Sequence, residues 1–492
     1  MSTTTAADTK PSKAHVIRTL AKSLREYRTA SLLSPLFVIV EAVIEIAIPT
    51  VIAILIDKGI SGKSMPDIWK YGGILIACAA VSLCAGFLSG RFAAIGSSGF
   101  AKNLRHDEFE KVQQFSFANI DRFSTGSIIT RLTTDVTNVQ NAYQMLIRVG
   151  MRAPVMLVVA WIFAFRISPQ ISMVFLACIP VLAVGLFGLI IVVHPIFERV
   201  FHTYDELNNV VDENLQGIRV VKSFNREDFE DKKFGRISLK IYEQFCKAEK
   251  LLSINSPLFN LCMYVSLITI AWIGARQIVA SGNNAALGLT TGDLTALVTY
   301  AMQIMMAMMM LSMIFVMVII SRASAERICG VLTEESTIRE VDEPVTAVAD
   351  GSIDFDHVSF RYSEHSERPV LDDIDLHIRS GQTIGIVGGT GSAKTSLVQL
   401  IPRLYDVTVG TLKVGGVDVR DYELESLRDE VAMVLQKNVL FAGTIAENLR
   451  WGDPYATDEE LRHACELAQA DGFIQAFPDK YDTSIEQGGT NV

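Results

Sequence analysis

The chain has 492 residues, half of them hydrophobic, and its mean hydropathy is positive, which is too apolar for an ordinary soluble protein. A formal net charge of −10, with no basic stripe or aromatic RNA-binding pattern to oppose it, argues against a nucleic-acid partner. The seven cysteines (Cys78, Cys84, Cys178, Cys246, Cys262, Cys329 and Cys465) include no C-x-x-C pair, so neither a disulfide framework nor a zinc site is implied.

Residues 1–30 are polar and carry Lys10, Lys13, Arg18, Lys22, Arg25 and Arg28 ahead of the first apolar run, without a cleavable signal pattern. That basic flank predicts a cytoplasmic N-terminus. Residues 31–320 hold six apolar runs, near Ser31–Ile56, Tyr71–Ile95, Ala153–Phe165, Ile171–Phe197, Pro257–Ala280 and Thr295–Ile320. Each run, with its flanks, can cross a hydrocarbon layer of roughly 30 Å, which takes about twenty helical residues. Short linkers join the first and second, third and fourth, and fifth and sixth runs. Long polar segments separate the second from the third and the fourth from the fifth. Both long segments have helix-like patterns and carry most of the Lys and Arg, which places them inside. Six spans then return the C-terminal part to the cytosol.

Two features of the membrane part stand out. Glu41 and Glu45 lie one helical turn apart in the first run. A carboxylate within a membrane costs a few kcal/mol, so it faces a cavity or a partner. The pair could attract a cationic cargo, or could simply pair with an arginine such as Arg91. The sixth run holds Met302, Met305, Met306, Met308, Met309, Met310, Met313 and Met317. These suit a surface accepting varied apolar shapes, and equally suit plain packing.

Residues 321–350 read as a linker, acidic toward its end and carrying Pro344. From 351 to 492 the pattern is that of a soluble α/β domain. Ile353, Phe355, Val358 and Phe360, then Leu371, Ile374, Leu376 and Ile378, mark two half-buried strands. An apolar run, Thr383–Val387, predicts a third strand leading into Gly388, Gly389, Thr390, Gly391, Ser392, Ala393, Lys394 and Thr395, and Ser396–Leu404 reads as a helix. Strand, glycine-rich loop, lysine and helix together are the context of a phosphate-binding loop.

With these motifs in order, the sequence resembles half of an ABC exporter, a six-span helical membrane domain with long cytosolic extensions followed by a P-loop nucleotide-binding domain. "FSTGSIITRLTTDV" (Phe123–Val136) and "ENLQGIRVVKSFNRE" (Glu213–Glu227) resemble the two intracellular loops of such exporters. "VSFRYSE", "GGTGSAKTS", "MVLQKNVLFAGTIAENL" and "IEQGG" follow in the order of the nucleotide domain. The resemblance implies ATP and Mg²⁺ as cofactors, the lipid bilayer as surroundings and a second half-transporter, identical or different, as partner. Tyr362 would stack on adenine, Gly388 to Thr395 would cradle the phosphates, and Lys394 would bridge the β- and γ-phosphates. Thr395 would place its hydroxyl on Mg²⁺, Ser396 would contact the α-phosphate, and Gln436 would sense metal and γ-phosphate. Leu440–Ile445 would form part of the groove that receives the membrane domain's arms, and Glu486–Gly489 resembles the cross-linking loop before the signature motif.

Two departures follow. Ala393 stands where the pattern has glycine; at negative φ it is tolerated, whereas at positive φ its methyl costs about 1 kcal/mol. The intact remainder of the motif favours tolerance. The serine-glycine-glycine-glutamine signature, the Walker B aspartate, the catalytic glutamate and the switch histidine would lie beyond Val492. The expectation is therefore an incomplete nucleotide domain with no catalytic residue of its own, which does not hydrolyse ATP by itself. The function implied is export of an amphipathic substrate (drug, lipid or peptide) by alternating access. The alternatives are a non-catalytic nucleotide-binding subunit regulating a complete partner, and a lipid flippase.

Overall fold

The computed structural model describes residues 12–284, 288–363, 366–436 and 439–491. Lys10, Glu364, Lys437, Asn438 and Val492, which belong to motifs read above, lie outside the described residues. The chain divides into two compact units, one of Met1–Phe115 with Asn119–Ser336, the other of Ser116–Ala118 with Thr337–Val492.

The first unit is helical. A short helix, α1 (Lys13–Ala21), precedes α2 (Arg28–Ile54) and α3 (Met65–Gln113). Then come α4 (Val136–Ile167), α5 (Pro169–Gln216), α6 (Glu227–Leu252), α7 (Asn255–Ser281) and α8 (Thr291–Thr333). Ser168 caps α5, with Pro169 at its first turn, and Thr290 with Asp293 forms a capping box on α8. Among the described residues, five helices are long and apolar enough to cross a membrane; a further, shorter apolar helix, Pro169–Gly185, lies within α5. The fourth run expected from the sequence falls in that helix. The last helix continues to Thr333, past the Ile320 limit of the apolar run, so the non-helical connection starts at Glu334. Hydropathy marks only the lipid-compatible part of a helix, while hydrogen bonding carries the helix onward.

Small residues and a few polar bonds hold these helices together. Ala42, Ile46, Ala160, Phe175, Ile270, Leu297, Tyr300 and Ile304 form the buried centre. Tyr300 Oη on α8 donates to the carbonyl of Ile46 (3.0 Å) and lies 2.6 Å from Thr50 Oγ1, both on α2. Asp57, in a π-helical turn after α2 (Leu55–Ser61), accepts from Thr290 Oγ1 (2.5 Å) and from Gly292 N (3.1 Å). A side chain at Gly292 would place its Cβ 2.3 Å from the Ala53 carbonyl oxygen, so only glycine permits this approach.

The second unit carries a four-stranded antiparallel sheet in the order β2-β1-β3-β4. Its strands are β1 (Ile353–Phe360), β2 (Leu371–Ile378), β3 (Val409–Val414) and β4 (Val417–Asp418). The alternation read from the sequence sets the register, with Phe355 opposite Leu376, Val358 opposite Ile374 and Phe360 opposite Leu371. The three-residue steps from Phe355 to Val358 and from Leu371 to Ile374 are bulges at His357 (φ 50°) and Asp373 (φ 49°). These two residues pair through a 2.7 Å contact between His357 Nδ1 and Asp373 Oδ1. The buried face packs Phe355, Val358, Phe360, Leu412 and Val414 against Leu400, Tyr422 and Leu427.

The strand expected at Thr383–Val387 is not formed. The chain there is irregular and every residue from Gly381 to Thr390 is exposed. An isolated extended segment has no ladder to satisfy its amides, and pairing is a non-local event that the apolar run alone does not guarantee. The helix after the loop, α9, runs Lys394–Leu400 and stops short of the expected Leu404, because Pro402 has no N–H to continue it. Buried Arg403 then anchors the turn, donating to Asp406 Oδ1 (2.7 Å), the Arg339 carbonyl (3.0 Å) and the Arg420 carbonyl (3.2 Å).

Candidate nucleotide site

The loop Gly388–Thr395 is an exposed turn closed by its own lysine. Lys394 Nζ donates to the carbonyls of Gly388 and Gly389, each at 2.8 Å, and to Ser392 Oγ at 3.2 Å. Those bonds satisfy the ammonium within the ring of the loop. Gly391 has φ 85°, and the space around the missing side chains of Gly389 and Gly391 is open. Gly388 needs to be small, since a Cβ there would lie 2.5 Å from Ser392 Oγ. An exposed backbone, a short helix start and one lysine fit a polyphosphate.

Ala393 has φ 60° and ψ 20°, the left-handed region. This is the unfavourable branch of the sequence expectation, and tolerance through a negative φ does not hold: the methyl sits where only glycine is unstrained.

Tyr362 stands beside the loop. Its hydroxyl lies 2.8 Å from Ser396 Oγ and donates to Gln399 Oε1 at 3.3 Å. Its ring meets Phe360 and Tyr405 edge-on, with centroids 4.8 and 5.2 Å away, and nearly half of the residue is exposed. Tyr362 and Ser396 are thus brought together by a bond that sequence reasoning missed, because an offset of that length has no local signal. Thr395 is exposed on the first turn of α9. Gln436 lies in an irregular exposed segment and makes no hydrogen bond among the described residues. The structure therefore groups Tyr362, Lys394 and Ser396 with the loop and shows no bond that ties Gln436 to it.

Leu440–Ile445 and Glu486–Gly489 do come together. Gly488 N donates to the Leu440 carbonyl (3.0 Å), and Gly443 and Thr444 pair with Ile485 and Ser484. Asn448 staples this region, its amide bonding the N–H (2.8 Å) and carbonyl (2.9 Å) of Phe441. A capping box from Thr444 to Glu447 starts the helix that presents Asn448. In the membrane unit, Glu41 and Glu45 are held by Arg152, not by Arg91; the distances are 2.7 Å to Glu41 and 2.5 Å to Glu45.

Comparison with known proteins matches residues 31–308 to the family described as ABC transporter transmembrane region and residues 371–489 to the family described as ABC transporter. The chain belongs to the ABC transporter family. It is 32% identical over 469 residues to the uncharacterized ABC transporter ATP-binding protein YfiB of Bacillus subtilis, covering 95% of this chain and 80% of that protein. An uncharacterized ABC transporter ATP-binding protein of Mycobacterium tuberculosis is 33% identical over 479 residues, covering 96% of this chain and 80% of its own length. A Mycobacterium bovis protein named as a fatty acid ABC transporter ATP-binding/permease protein is 29% identical over 389 residues, 79% of this chain and 60% of that protein. This ABC protein is therefore a multi-pass membrane protein with a cytoplasmic ATP-binding domain, of an ATP-hydrolysing transporter family.

Proposed function

We propose that this chain is the ATP-binding and permease half of an ABC exporter that pairs with a second half-transporter and moves an amphipathic substrate out of the cytoplasm by alternating access. The observation that carries the reading is a lysine-closed phosphate loop on the same chain as a bundle of apolar helices with two long polar helical extensions. Counting the fourth run, Ile171–Phe197, as a span makes six, which return the nucleotide unit to the cytosol. Lys394 would exchange the Gly388 and Gly389 carbonyls for the outer phosphates of ATP. Tyr362 would meet the adenine, Ser396 the α-phosphate, and Thr395 with Gln436 a Mg²⁺ ion. Bound nucleotide supplies differential affinity for two states of the membrane part.

A lipid-like cargo is supported by the fatty-acid relative and by α8. Met302, Met306, Met309 and Met313 are spaced along one face and are exposed, whereas Met305 and Met308 are buried. The test uses inside-out vesicles from cells that make the protein together with a hydrolysis-competent half-transporter, with this chain intact or as Lys394→Ala. ATP-driven uptake of a fluorescent acyl amphiphile should fall to background in the variant. Equal uptake by both would defeat the exporter reading.

A further inference from the structure

Glu108 lies on α3 beyond the apolar run that ends at Ile95, about 20 Å further along the helix at 1.5 Å per residue, and so on the cytosolic side of the span. It is fully buried, and neither carboxylate oxygen has a hydrogen-bond partner among the described residues. A buried ionised carboxylate without a partner is costly, while the neutral acid costs far less. The groups around it are few. Asp135 and Arg131 face it from a π-helical turn, Arg131–Asp135, and Arg105 faces it from α3 itself. Asp135 is already taken by Arg327 of α8, bidentate at 2.7 and 2.5 Å. Arg131 donates through Nη1 to the Arg327 carbonyl (3.2 Å) and keeps its buried Nε unused. π-Helical turns are often sites of adjustment.

We propose that Glu108 is a proton-binding switch that decides whether Arg131, in the π-helical turn of the first intracellular arm, bonds α8 or turns toward α3. With the acid neutral, Arg131 stays on the Arg327 carbonyl and the turn is fastened to α8. With the acid ionised, the buried charge draws the unused Nε of Arg131, the bond to the Arg327 carbonyl breaks, and the turn keeps only its Asp135–Arg327 tie to α8. Burial, reinforced by Asp135 and opposed by Arg131 and Arg105, pushes the carboxyl up to about 8, so both forms are populated near neutral pH. The inference rests on no nucleotide and no cargo.

The test is infrared spectroscopy of the full chain in lipid nanodiscs, with amide hydrogen exchange on the same sample. At pH 7 the wild type should show a carboxylic-acid carbonyl band that is missing in Glu108→Gln and titrates away with a midpoint near 8. Across that midpoint, exchange at Arg131–Asp135, corrected for intrinsic base catalysis, should rise about threefold in the wild type and stay flat in the variant. Arg105→Gln, a surface change that keeps the buried acid, should move the midpoint upward by removing a charge that favours ionisation. A wild type with no such band, or one whose band titrates while exchange stays constant, overturns the proposal. So does an Arg105→Gln midpoint that is unmoved or lowered.

Discussion

At the scale of single residues, Lys394 and Ala393 are neighbours in the phosphate loop with opposite burdens. Lys394 is satisfied by its own loop carbonyls before any phosphate arrives, so binding is an exchange of partners rather than the capture of a free charge. Ala393 holds a left-handed conformation that its methyl resists. Ala393→Gly should remove about 1 kcal/mol of strain from the folded loop, raising the thermal midpoint of the chain, and leave ATP affinity unchanged in a fluorescence titration as long as the bound loop keeps this conformation. A weaker complex would mean that the loop relaxes out of this conformation when nucleotide binds. Tyr362, Lys394, Thr395 and Ser396 are read as site residues from their offsets, and Tyr362, Lys394 and Ser396 gather at the loop. The sign of φ at Ala393 is not legible in this way, because it depends on how the whole loop closes.

At the scale of elements, legibility tracked locality. The β1 and β2 alternation is local and paired as read, and the capping signals Thr290–Asp293 and Thr444–Glu447 mark real helix starts. The strand at Thr383–Val387 failed because its partner cannot be read from its own composition. The contact of α8 with the turn after α2 was likewise invisible, since it depends on the absence of a side chain at Gly292. Gly292→Ala should push its methyl onto the Ala53 carbonyl and strain the Thr290–Asp57 bond, destabilising the helical unit by roughly 1–3 kcal/mol. Thermal unfolding in detergent should then show a lowered midpoint, whereas Gly73→Ala, which meets nothing within 4 Å, should not. Equal midpoints for the two variants would show that the helices separate at no cost.

At the scale of the whole molecule, buried charge couples stability to pH. Glu108 has an ordinary value of 4.5 when unfolded and about 8 when folded. Between those limits the folded chain holds a proton that the unfolded chain has released, so its contribution to stability falls as pH rises and levels off above the upper limit. The unfolding midpoint of Glu108→Gln minus that of the wild type should therefore grow from pH 5 to 8 and then flatten; a constant difference would refute the linkage. In the membrane unit, Glu41 and Glu45 share one Arg152. Changing both to glutamine should selectively weaken export of cationic amphiphiles while sparing neutral ones, and unchanged transport of both classes would remove the pair from the cargo path.

The unpaired stretch before the phosphate loop has a consequence for handling the protein. Val387 is 96% exposed and Val434 is 89% exposed, with Ile384, Ile386 and Leu435 also open to water. Thr383–Val387 contains neither a charge nor a proline, the composition from which intermolecular cross-β stacks nucleate. Open to water along its length, this stretch should make the ATP-binding unit self-associate more as its concentration rises.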